Sequence, residues 1–206
     1  MQSIRQKARS VKGSFKQLRR DMKVAKVGAI ARRYFVLNAF DGVLTALGLV
    51  LGAYAVGLPD PAFILSAGIG VSIALGLSGV WSAYMAEKAE RTRSLKELED
   101  ALFTDLKHSR LDRAARGATI WVAFVNGVSP VAAAIIVISP FFVARAGFLS
   151  VDIAVYISVA ITMIILFLIG IFLGRTSKEN ILLHGTKMAA AGVVITVILL
   201  LLRVVV

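Results

Sequence analysis

The stretch VLNAFDGVLTALGLVLGAY, Val36 to Tyr54, is apolar enough to cross a membrane, yet Asp41 stands five residues into it. An ionised carboxylate in hydrocarbon costs at least ~2.5 to 3.5 kcal/mol on insertion scales, so a residue there needs something to offset that cost. Asn38 lies three residues before Asp41 and Thr45 four residues after it, a spacing that places all three on one helix face. That face offers hard oxygen ligands of the kind divalent cations accept, around a carboxylate that can bind either a proton or a metal. The competing reading is an interfacial Asp that snorkels to water or caps a neighbour.

A second group of ligands follows the next apolar run, which ends in SAYMAEKAE. Met85 brings a thioether suited to Fe(II) or Cu(I), or equally to filling gaps between helices. Glu87 and Glu90 form a compact Glu-x-x-Glu pair. Wound at 3.6 residues per turn, Glu87, Glu90, Glu97, Asp100, Asp105 and His108 fall within an arc of about 140°. Such an acidic face can collect divalent metal at the mouth of a pore. Arg91, Arg93 and Lys96 stand close enough to pair with it instead, as on any solvated, charge-laced helix. His184 and Lys187 open the last apolar run, as interfacial anchors or, for His184, as a proton relay. No HExxH, G-x-S-x-G or nucleotide loop is present, and an enzyme is not expected. With no cysteine, disulfides and thiolate metal sites are excluded.

The elements that must position these residues are membrane helices. The chain has 206 residues, 58 % hydrophobic and 17 % charged, with a mean hydropathy of +0.80, too apolar for a soluble domain. A hydrocarbon core roughly 30 Å thick needs about 20 helical residues per crossing, and lipid leaves the backbone only helices or closed barrels. The alternation of barrel strands is missing. The expected fold is therefore an all-α integral membrane protein with five transmembrane helices, near 34–56, 62–86, 118–143, 152–174 and 182–204.

Of the 24 Lys and Arg, eleven precede residue 34, eight lie between Lys88 and Arg116, and three flank the connection around residue 178. Basic segments beside a span stay cytoplasmic, so the amino terminus is expected inside and the carboxyl terminus outside. Residues 1–33 carry apolar positions three and four apart, from Ile4 through Phe15 to Ala29. They read as a basic amphipathic helix on anionic lipid of the inner leaflet. A nucleic-acid arm is the sharper alternative, and nucleic acid is not among the expected partners. Residues 87–117 form a cytosolic charged segment, free of proline and glycine up to Arg116 and expected to be helical. The Leu58–Pro61 turn makes a hairpin of the first two spans. Glycine pairs at 48/52, 68/70, 76/79 and 170/174 suit close helix packing, two of them as GxxxG. Pro130 and Ser139-Pro140 kink the third span or loosen its backbone to expose carbonyls.

VLNAFDGVLTALGLVLGA resembles the first span of the vacuolar iron transporters, where the Asp-Gly pair and the later Leu and Gly positions coincide. The likeness continues through the small-residue second span ending in Glu87, the third span with Gly127 and Pro130, and HGTKMAAAGVV, similar to that family's Gly-x-x-Met segment. It covers residues 34–206. What it implies is a homodimer with five helices per subunit that exchanges Fe(II) or Mn(II) for protons and moves metal out of the cytosol, with no tightly bound cofactor. By the resemblance, the metal-handling carboxylates are Asp41 and Glu87, with Glu90, Glu97 and Asp100 as cytosolic candidates by position. Phe40 stands where the family commonly has Asn, and the family's span-two Met aligns near Ala83, two residues from Met85. The expectation is a dimeric divalent-metal transporter in a prokaryotic plasma membrane. The rivals are a non-transporting membrane interaction protein and a carrier for another small solute.

Overall fold

The computed structural model describes residues 27–57, 60–107 and 109–205. Its helices are α1 (Val27–Ala55), α2 (Pro61–Leu102), α3 (Arg110–Ile138), α4 (Pro140–Arg145), α5 (Val151–Ser177) and α6 (Ile181–Val205). Among the described residues there is no strand. All but α4 are long and apolar enough to cross a membrane. The expected basic leader lies outside the described residues up to 26, and so do Leu58, Pro59 and His108. Residues 27–33 belong to the same continuous helix as the first span.

Helix boundaries follow local chemistry. Asp60 caps α2, its carboxylate accepting from Ala62 N at 3.1 Å and Phe63 N at 3.3 Å, with Pro61 at the first position, where a missing N–H costs nothing. At about 1.5 Å per residue, the 42 residues of α2 reach roughly twice the hydrocarbon thickness, so much of its charged half must project beyond the lipid. The charged segment is not one helix, as the lack of proline and glycine had suggested. Phe103 adopts a left-handed φ of 50°, Glu99 accepts from Leu106 N at 2.9 Å, and Ser109 accepts from Asp112 N at 3.2 Å to begin α3. Side chains that satisfy turn amides can end a helix without either breaker residue.

The third span also ends sooner than 143. Pro140 has no N–H for the Ile136 carbonyl, and that oxygen accepts from the Ser139 hydroxyl at 2.7 Å. The Val137 carbonyl accepts from the buried Ser158 hydroxyl of α5 at 2.8 Å. These carbonyls are therefore partnered by side chains at the break.

The described residues form two compact units, residues 27–34 with Gly79–Asn126 and Phe35–Ser78 with residues 127–205. In the first, Val27 and Ala31 pack with Ala118 and Val122, and Asn126 donates from Nδ2 to the Gly79 carbonyl at 2.6 Å. In the second, Val36, Val43, Leu47 and Val50 of α1 join Ile64, Val137, Ile138, Phe141 and Leu166 in the core. Here α5 and α6 approach closely: a Cβ on Gly170 would lie 2.4 Å from the His184 carbonyl oxygen. The Gly170/Gly174 pair is thus used inside the subunit.

Candidate functional site

Asp41 belongs to the second unit, one residue from a backbone contact that sets where it points. A Cβ on Gly42 would stand 2.3 Å from the Pro130 carbonyl oxygen and 2.6 Å from its Cα. No side chain fits between those two helices. With Gly42 and Val43 buried against the core, Asp41 is turned outward and exposed.

The two faces of α1 differ in kind. Val36, Ala39, Val43, Leu47, Val50 and Ala53 are buried. Asn38, Asp41, Thr45, Gly48 and Gly52 follow one another at spacings of three and four on the other side, so they form a single stripe. Asn38 and Thr45 are half-buried. A Cβ on Gly48 or Gly52 would meet no atom within 4 Å, so the stripe is also open. The outer faces of α5 and α6 are different, presenting residues such as Ile164, Leu168, Val193, Val197 and Leu201. Those faces suit lipid, whereas a polar, small-residue stripe suits water or another protein surface.

The acidic candidates of α2 lie in the first unit, and two of them, Glu87 and Glu97, are committed to arginine. Glu87 Oε2 accepts from Arg91 Nε at 3.1 Å, in a pair whose side chains are only 15 % (Arg91) and 11 % (Glu87) exposed. Glu97 pairs with Arg93 at 2.9 Å on the surface, where the side chains are 64 % and 74 % exposed. The hydrogen bond to Glu97, then the charges of Glu97 and Glu90, hold the Arg93 guanidinium above its ordinary range. Asp105 is separated from the arc because α2 stops at Leu102. Met85 is exposed, whereas Ala83 two residues earlier is buried. Among the described residues, no three of His, Asp or Glu come together as a metal cage. His184 Nε2 lies 2.5 Å from Glu179 Oε2, at hydrogen-bond distance, beside the tight turn between α5 and α6.

Two features were missed in the sequence. One is the Gly42–Pro130 contact, for which the signal was a glycine beside the intramembrane acid and a proline inside the third span. The other is a cavity of about 510 Å³ in the first unit, with Arg33, Glu87, Glu90, Arg91 and Ser94 in its wall. Neither Arg33 nor Ser94 stood out by type, since only folding sets them beside the carboxylates.

No protein-family model matches the chain. Uncharacterized protein MJ0645 of the archaeon Methanocaldococcus jannaschii is 34 % identical over 174 residues, covering 83 % of this chain and 87 % of its own. The chain belongs to the family of MJ0645. A match of that extent within this family spans most of both chains, so the relationship is not confined to one pair of apolar helices.

Proposed function

We propose that this member of the MJ0645 family is an integral membrane transporter for divalent metal, Fe(II) or Mn(II), that works as a homodimer and exchanges metal for protons. The observation that carries the reading is the open stripe of α1: an exposed carboxylate flanked by Asn38 and Thr45 and continued by uncovered Gly48 and Gly52. Facing lipid, Asp41 would cost at least ~2.5 to 3.5 kcal/mol. Facing the same stripe of a second copy, it becomes one of two carboxylates lining a shared path, flanked by amide and hydroxyl oxygens. A carboxylate pair so placed can take up either a proton or a dication, so the two compete for it. That competition is the coupling step of exchange.

The resemblance of VLNAFDGVLTALGLVLGA to the first span of the vacuolar iron transporters supports iron or manganese as the cargo and export from the cytosol as the direction. The cytosolic carboxylates of α2 lend negative potential at the entrance without building a fixed cage. An archaeal relative is compatible with a prokaryotic plasma membrane. The open glycines of α1 also favour one other reading, a dimer that conducts nothing and uses Asp41 as a polar packing contact.

Flux of Fe(II) and Mn(II) into proteoliposomes under an imposed pH gradient separates the two. Gradient-dependent flux that disappears with Asp41→Ala, in protein that still inserts and dimerises, is the expected result. Absence of flux for both metals in correctly inserted dimer would overturn transport and leave the packing role.

A further inference from the structure

The cavity in the first unit sets arginine and leucine side chains beside the α2 carboxylates. Its polar rim carries two guanidinium groups, Arg33 and Arg91, and two carboxylates, Glu87 and Glu90, while Leu95, Leu98 and Leu111 supply an aliphatic side. Arg33 immediately precedes the apolar part of α1, and Glu87 immediately follows that of α2. A cavity with these walls therefore lies at the height of lipid headgroups.

We propose that this cavity binds the headgroup of an amine-bearing phospholipid, with phosphate on the arginine side, ammonium on the glutamate side and the start of an acyl chain along the leucines. Each part of the lining has a counterpart in that ligand. Arg33 is exposed and brings a guanidinium fork that matches phosphate oxygens. Arg91 adds positive potential, although its Nη2, 3.0 Å from Glu87 Oε2, is buried and makes no hydrogen bond. Glu90, one turn from Glu87 on the same helix, presents an exposed carboxylate that suits a primary ammonium with its three donors. A quaternary ammonium has no donor to give and is held by aromatic faces, and no aromatic residue is among the described residues lining the cavity. The lining thus favours a primary amine over a choline group. Its two positive and two negative groups also disfavour a purely anionic headgroup.

Native mass spectrometry of the delipidated full-length protein tests this, with phosphatidylethanolamine, phosphatidylcholine, phosphatidylglycerol and inorganic phosphate added separately. The expected result is retention of phosphatidylethanolamine about tenfold more tightly than of the other two lipids, the scale of one charge-assisted contact. Glu90→Gln should remove that preference while leaving phosphatidylcholine unchanged, and Arg33→Gln should weaken both. Should either variant fail to fold by circular dichroism, Leu98→Asp at the rim provides the second probe and should reduce retention of every lipid. Equal retention of the three lipids, or a preference that survives Glu90→Gln, would mean annular lipid and overturn the proposal. Inorganic phosphate that displaces phosphatidylethanolamine at equal concentration would also overturn it, marking a free-anion site.

Discussion

Gly42→Ala is the substitution whose cost follows most directly from the geometry. The added Cβ would sit 2.3 Å from the Pro130 carbonyl oxygen and 2.8 Å from its carbonyl carbon, where ordinary contact begins at 3.4 Å. Clearing the oxygen requires a relative shift of about 1.1 Å between two helix backbones, because the atoms in the way are main-chain and have no rotamer to change. Overpacking of this kind costs about 1 to 3 kcal/mol. Alanine also gains about 1 kcal/mol of helix propensity over glycine, which partly masks the loss. Gly70→Ala isolates the packing component. Gly70 is also helical, but its added Cβ would meet nothing within 4 Å, so it gains the propensity without the collision.

The two variants should therefore differ by about 1 to 3 kcal/mol in detergent unfolding, with Gly42→Ala the weaker. Titration with SDS in mixed micelles, followed by far-ultraviolet circular dichroism, measures the difference. If Gly42→Ala proved as stable as Gly70→Ala, the close approach of α1 to Pro130 would be refuted, and with it the account of why Asp41 points outward. In transport assays the same shift should lower flux while leaving the carboxylate itself intact, distinguishing Gly42 from Asp41.

Ser158→Ala leaves the Val137 carbonyl without the partner that lies at 2.8 Å, and should cost about 0.6 to 1.7 kcal/mol in the same titration, the range for hydrogen bonds between membrane helices. Glu87→Gln removes a partner from the largely buried Arg91 pair, and Glu97→Gln does so from an exposed one. Thermal unfolding should show the first variant clearly weakened and the second indistinguishable from the parent. Gly48→Leu should leave the subunit folded, because nothing lies within 4 Å of that position, yet block pairing of two copies. Under the proposed pairing, light scattering in detergent should report a dimer for the parent and a monomer for the variant, and a dimer that survives Gly48→Leu would move the interface off α1.

Hydropathy made five apolar helices legible because the length of a span and the absence of ionisable groups are properties of composition. Breaks between helices were less legible. Residues 103–107 interrupt the charged segment without proline or glycine, through amides taken up by the Glu99 and Ser109 side chains, partners that depend on chain geometry more than on residue type. Spacing also put Glu87, Glu90, Glu97 and Asp100 on one arc, but spacing along a helix is silent about which cations answer it. Arg91 and Arg93 lie four residues from their glutamates, so local pairing competed with any metal from the start.

The Asp-Gly pair that made the first span recognisable joins two demands on adjacent positions of one helix. Residues side by side in sequence point about 100° apart, so a contact that admits only a glycine at 42 directs position 41 away from the core. A carboxylate directed outward in an apolar span has to be met by something other than hydrocarbon. The residues that follow on that side, Thr45, Gly48 and Gly52, offer a hydroxyl and then bare backbone, surfaces that let another helix come close. Polar ligand, close-packing side and outward aim are separate properties, and α1 holds all three along one stripe. A helix that packed on the uncovered glycines two and three turns further along would also be the group that meets Asp41.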